Sequence, residues 1–163
     1  MIVYHGSTEI IKNPDVIHSK KYLDFGRGFY ITTFENQAKK WAARKGMRQE
    51  KAAIVNVYEL SEEWEDFDVL SFEKENEKWL DFVCACRKGQ PLNKKYDIII
   101  GNVADDDVFK TVDLYFRGLW DKEKVLDELR YYKMNNQICI VNQETLNRLI
   151  TFKRAYEVEN NGR

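Results

Sequence analysis

Two short stretches carry the residues best suited to chemistry. His5-Gly6-Ser7 ends a first apolar run, MIVYH. Residues 24–42, DFGRGFYITTFENQAKKWA, follow after a loop. Gly26 and Gly28 flank Arg27, so the backbone there is free to turn tightly or to come close to a ligand. Tyr30 lies in the aromatic and β-branched run 29–33, the mixture that suits a half-buried strand. Trp41 lies in the helical pattern that Glu35 opens, with Ala38, Trp41 and Ala42 on one side. If that helix folds back over the strand, the two aromatic faces oppose each other and hold a flat, electron-poor ring. The alternative is that both rings are core, where aromatics generally belong.

The elements that must position these residues are read from periodicity and turn signals. Strands are expected over residues 1–5, 29–33, 53–60, 68–72, 96–100 and 137–141, with a last edge strand over 153–158. In the run 75–88, Trp79, Phe82, Val83 and Cys86 recur at helical spacing. Ser71 is placed to cap that segment, and Gly89-Gln90-Pro91 stops it. Further helices are expected over 108–116, 119–133 and 144–150. Strands separated by helices would suit a doubly wound parallel sheet, and periodicity alone does not choose between that and an antiparallel core.

Composition narrows the function classes. The 163 residues suit one domain, residues 1–158, with a polar tail over 159–163. A formal net charge of −1 gives no whole-chain pull toward nucleic acid or an acidic membrane. Lys39, Lys40, Arg44, Lys45 and Arg48 form the densest basic group and read as the solvated face of their helix. No apolar run has the length of a membrane span, and the N-terminus lacks the pattern of a signal peptide, so a cytoplasmic protein is expected. Three cysteines, Cys84, Cys86 and Cys139, are an odd number and include a C-x-C rather than a C-x-x-C pair. They read as small core fillers. The aspartates 105–107 read as acids at a helix N-terminus ahead of a metal site. His18 reads as a surface residue without an acidic neighbour. No metal site, phosphate-binding glycine loop, dinucleotide fingerprint or hydrolase elbow is present in the sequence.

His5-Gly6-Ser7 at the end of a first strand, then Gly26-Arg27-Gly28-Phe29-Tyr30-Ile31-Thr32 at the start of the next, resembles the ADP-ribosyltransferase superfamily. The likeness is to its diphtheria-toxin and poly(ADP-ribose)-polymerase branch, which uses a His-Tyr-Glu triad, and within it to an uncharacterised bacterial family. It covers roughly the first sixty residues and the strand that begins near Gln137. The resemblance implies an α+β fold with a split, mostly antiparallel β core surrounded by helices. It implies NAD as substrate and no metal. His5 matches the histidine that bonds the nicotinamide ribose hydroxyl. Gly6 matches the glycine whose backbone holds the carboxamide. Ser7 borders the adenosine side, and Gly28 belongs to the same cofactor-binding group. Tyr30 matches the tyrosine that stacks on nicotinamide, and Trp41 the position of a second aromatic on its other face.

The departure from that pattern is Gln137, which stands where the family has a glutamate. Glutamine holds a hydroxyl through its amide but has no charge and is no base. Three outcomes follow: transfer assisted by the acceptor's own acid, supply of an acid from elsewhere such as Glu144, or a non-catalytic cleft. The expected function is a mono-ADP-ribosyltransferase, with His5, Tyr30 and Gln137 as its reacting set and a macromolecule as acceptor. Small bacterial members resemble toxins of toxin–antitoxin pairs, which implies a small neutralising protein partner. The alternative is an inactive module that keeps the cleft for NAD, nucleotide or protein binding.

Overall fold

Each apolar run finds its partner in one of two sheets. The computed structural model describes residues 1–20, 23–103, 106–129 and 135–159, with the backbone alone at positions 106, 107 and 109. The first sheet has three strands, β1 (Ile2–Ser7), β3 (Ile54–Leu60) and β7 (Ile150–Glu157), in the order β1-β3-β7, all antiparallel. The second has four, β2 (Phe29–Ile31), β4 (Val69–Ser71), β5 (Ile98–Gly101) and β6 (Gln137–Ile140), in the order β2-β6-β5-β4. Among the described strands only β4 and β5 pair in parallel. The protein is therefore of the α+β class, and the doubly wound parallel alternative is excluded.

Alternation along the strands stacks the layers. Tyr58 and Leu60 of β3 face Ile98, Ile138 and Ile140 of the other sheet. Val55 and Val57, on the opposite face of β3, pack under Ala38 and Ala42 of α1 (Glu35–Gln49). Ile99 and Cys139 turn outward from the second sheet to meet α2 (Glu77–Arg87), α3 (Asp106–Phe116) and α4 (Lys122–Leu129). Trp79, Leu80 and Val83 of α2 are fully buried there. The buried stripe is the one that the helical spacing predicts. The cap is different: Asn76, not Ser71, accepts a bond from Trp79 N at 3.0 Å. Ser71 is itself the last residue of β4. A last helix, α5 (Gln143–Leu149), is capped by Asn142 and runs straight into β7.

Some expectations change at their edges. The first strand continues through Gly6 and Ser7, which pair with Val55 and Ile54. The end of the expected helix 119–133 and nearly all of the polar tail lie outside the described residues. So do Asp105 and the side chains of Asp106 and Asp107. All three cysteines are buried and free, as core fillers should be. No helix among the described residues is long and apolar enough to cross a membrane.

The two sheets touch at one point that matters for the site. Tyr4 and Thr32 form a bridge between β1 and β2, with N–O distances of 2.8 and 3.0 Å. Beyond the bridge the strands part, β1 toward Ser7 and β2 back toward Phe29. Asn136 fastens this corner: its Oδ1 accepts from Thr32 Oγ1 and Thr33 N, each at 3.0 Å, and its carbonyl accepts from Gln37 of α1 at 2.7 Å.

Candidate functional site

Where β1 and β2 separate, a cleft of about 1980 Å³ opens. It is larger than the roughly 300–1,000 Å³ of an ordinary small-molecule site. His5, Ser7, Gly28, Tyr30, Trp41 and Gln137 all line it. These residues come from an edge strand of each sheet, the turn before β2, one helix and a strand about a hundred residues further on.

His5 crosses the gap. Its ring lies on Phe29, with centroids 4.5 Å apart, and Nδ1 sits 2.6 Å from the Tyr30 carbonyl. A carbonyl oxygen only accepts, so Nδ1 carries the proton and Nε2 keeps its lone pair. No described residue takes that lone pair, and His5 is only partly buried. Burial, helped by the nearby Lys45 charge, lowers the His5 pKa to about 3, so the ring is neutral at physiological pH. It presents a hydrogen-bond acceptor in the wall of the cleft.

Gly6 allows α1 to lie directly on β1. A Cβ there would stand 2.6 Å from Ala42 N and 2.9 Å from Trp41 Cβ, and closer still to the Ala38 carbonyl. The glycine thus sets Trp41 against the first strand. Its carbonyl is engaged: Lys45 Nζ donates to it at 2.7 Å. This corrects the reading of the basic group as a solvated face. Lys40, Arg44 and Arg48 are exposed, though Arg44 and Arg48 also line the cleft, and Lys45 is half-buried and turned into it. Burial, together with the charges of Arg48 and Lys20, brings its pKa down to about 8. The signal was in the spacing. Lys45 lies four residues after Trp41 and seven after Ala38, on the inward stripe.

The glycine-rich turn has separate causes at its two glycines. Gly26 adopts φ +74°, which a residue without Cβ takes at little cost. Gly28 lies against β6, where a Cβ would stand 2.8 Å from the Ile140 carbonyl oxygen and press on Cys139 Sγ. Its N–H donates to Ser19 Oγ at 2.9 Å. Tyr30 is tied into this turn. Its hydroxyl donates to the Gly26 carbonyl at 2.5 Å and accepts from Phe25 N at 3.0 Å. With the hydroxyl fixed, the ring is held as a wall between the cleft and the helix-side core, which it also packs against. Ser7 Oγ accepts from Glu9 N at 3.3 Å at the outer end.

Gln137 starts β6 and is 4% exposed. Its Nε2 donates to Asp24 Oδ2 at 3.1 Å and to the Asn102 carbonyl at 3.3 Å. Arg87 grips the other Asp24 oxygen through Nε at 3.0 Å and a terminal nitrogen at 2.5 Å. Asp24 is thus the carboxylate beside Gln137. Glu144, the acid expected from elsewhere, is exposed in the first turn of α5 and does not line the cleft. Sequence reading missed Asp24 and Arg87: Asp24 meets Gln137, and Arg87 meets Asp24, only in the fold, over separations of 113 and 63 positions. His18 also departs from expectation. It is exposed, but its Nδ1 pairs with Asp15 at 2.7 Å, a partner three residues away in sequence. No group of three or more His, Cys, Asp or Glu side chains suited to a metal occurs among the described residues.

Fold and site together define a class: an α+β protein whose two packed sheets are joined by the Tyr4–Thr32 bridge and part beside it into a cleft walled by an imidazole, two aromatic rings and a buried amide. The chain belongs to the family described as "Protein of unknown function (DUF3990)", whose model matches residues 1–152. No curated protein and no solved structure matches it.

Proposed function

We propose that the protein binds NAD in this cleft and transfers a single ADP-ribose to a macromolecular acceptor. The observation that carries the reading is that His5, Tyr30, Trp41 and Gln137, named from the resemblance to ADP-ribosyltransferases, line one cleft although the chain separates them widely. In this reading the nicotinamide lies between Tyr30 and Trp41. Its cationic ring is attracted to both aromatic faces. The neutral His5 Nε2 accepts a hydroxyl of the adjoining ribose. The carboxamide competes with Lys45 for the Gly6 carbonyl, which has two lone pairs.

The reaction breaks the bond between the ribose anomeric carbon and the pyridinium nitrogen. The electron pair leaves with nicotinamide and neutralises it. A lone pair on the acceptor forms the new bond to the anomeric carbon, and the acceptor's proton goes to solvent or to its own neighbouring acid. The oxocarbenium character of the transition state needs negative charge nearby. The volume of the cleft leaves space for an acceptor group beside the dinucleotide.

We further place the protein in the bacterial cytoplasm as the toxin of a toxin–antitoxin pair, restrained by a small protein partner. Growth arrest on expression, relieved by His5→Ala, is the expected result; unimpaired growth counts against that role. The enzyme itself is tested by incubating purified protein with labelled NAD and cell lysate. Label transfer, lost in His5→Ala and Tyr30→Ala, supports it. Two observations favour a second reading: the amide at position 137 and the ammonium on Gly6 suit an NAD-binding module without turnover. NAD binding with neither transfer nor nicotinamide release selects that module.

A further inference from the structure

We propose that Asp24 is the positioning residue of the cleft: it fixes the Gln137 amide so that the carbonyl oxygen, not the NH2 group, meets the ligand. An isolated glutamine presents either end to a partner, since a half-turn about its last torsion exchanges them at little cost. Here the choice is made by the surroundings. The Asp24 carboxylate oxygen at 3.1 Å and the Asn102 carbonyl at 3.3 Å only accept, so both must face Nε2. Flipping the amide would set Oε1 against two oxygens in a site that is 4% exposed, which costs the desolvation of three acceptors.

Both Nε2 protons are then engaged, and Oε1 is left. No described residue donates to it, and Gln137 lines the cleft. It is a second acceptor in the wall of the cleft that His5 also lines. The ligand chemistry this suits is a hydroxyl donor, and two such acceptors suit a sugar with more than one hydroxyl.

Asp24 is itself positioned. Arg87, at the end of α2, holds Oδ1 through two nitrogens, and Oδ2 takes the amide. Both side chains are nearly buried, at 12% and 13% exposure. A charge-assisted bond from Nε2 to a carboxylate polarises the amide and makes Oε1 a stronger acceptor. The carboxylate thereby acts through the amide, at one remove from the position where the resembling family has its glutamate. Arg87 neutralises much of that charge, so the gain is in orientation more than in field.

The inference about the ligand rests on the proposed NAD reading; the inference about the amide does not. Two measurements keep them apart. The first is the side-chain NH2 signal of Gln137 in a nitrogen–proton spectrum, assigned by its loss in Gln137→Glu. In the wild-type protein without ligand both protons should resonate away from those of exposed glutamines and exchange slowly. In Asp24→Asn they should lose that protection. An unprotected wild-type signal, or one unchanged in Asp24→Asn, overturns the positioning role whether or not NAD binds. The second is NAD turnover. Asp24→Asn should lower kcat about tenfold or more with a smaller change in KM. Adding Gln137→Glu to it should restore turnover, because the new amide at position 24 donates to the new carboxylate at 137. Arg87→Gln serves as the control for a structural role. If it lowers kcat as much as Asp24→Asn at equal loss of melting temperature, and the double variant is not rescued, Asp24 is an ion-pair residue and the inference fails. Protected amide protons with no NAD binding at all would retain the positioning role and refute the NAD reading.

Discussion

The neutral His5 makes a quantitative prediction. In the folded protein it binds a proton only near pH 3, whereas in the unfolded chain its pKa returns to 6.5. Between those values the unfolded state holds more protons, so acid favours unfolding through this group. Its contribution is complete above pH 6.5 and is lost as pH falls toward 3. One pH unit in that window corresponds to about 1.4 kcal/mol. Going from pH 7 to pH 4.5 therefore costs about 2.5 kcal/mol through His5, an upper figure because the ring keeps some contact with water. Carboxylates also titrate in this range, so the test is a difference. Urea unfolding of wild type and His5→Gln at pH 7 and 4.5 should show the wild type losing about 2 kcal/mol more than the variant. The chain has two histidines, so a proton titration with His18→Ala as the assignment control reads the His5 pKa directly. Parallel stability losses in the two proteins, or an imidazole that titrates near 6.5, would refute the tautomer and the lone pair assigned to Nε2.

Other consequences follow from the same contacts. Gly6→Ala should force α1 away from β1 and cost about 1–3 kcal/mol, the usual range for overpacking, seen as a lower melting temperature; an unchanged melting curve would contradict the close approach. Trp41→Ala should weaken NAD binding about tenfold, the equivalent of ~1.4 kcal/mol of lost ring contact, while melting temperature changes little because the indole is only half-buried. Unchanged affinity by calorimetry would remove Trp41 from the site. Lys45 has a folded pKa of about 8 against an ordinary 10.5. The unfolded state binds more protons between those values, so wild-type stability should gain from this group as pH rises from 8 to 10.5. Lys45→Met should lose that rise and bind NAD more tightly, since the Gly6 carbonyl is then open; if both proteins behave alike, the ammonium does not sit on that carbonyl.

The parts of the fold legible in the sequence were those set by local pattern. The apolar run before Gly101 and the run 137–140 alternate between the sheet–sheet core and the helix side, and both read as strands. Trp79, Val83 and Cys86 mark the buried stripe of α2 without any tertiary information. The split of the strands into two sheets was not legible, because β1 finds β3 across some fifty residues and β2 finds β6 across about a hundred. Only the resemblance pointed to an antiparallel core. Within the site, His5, Tyr30 and Trp41 were found through short motifs. Asp24 and Arg87 have no local signature: a carboxylate before an aromatic residue and an arginine at a helix end are common. They gain meaning only when β6 brings Gln137 to the carboxylate that Arg87 holds. Lys45 is a different kind of miss. Its spacing from Ala38 and Trp41 placed it on the inward stripe, but its charge argued for solvent, and the Gly6 carbonyl compensated the burial.

The central claim is that the cleft takes the nicotinamide end of NAD, and the most direct measurement is a crystal structure with a non-hydrolysable NAD analogue at saturating concentration. The account predicts the pyridine ring between Tyr30 and Trp41, with ribose hydroxyls within hydrogen-bonding distance of His5 Nε2 and Gln137 Oε1. An empty cleft, or an analogue bound with its pyridine ring in solvent and its ribose away from those two acceptors, would contradict it.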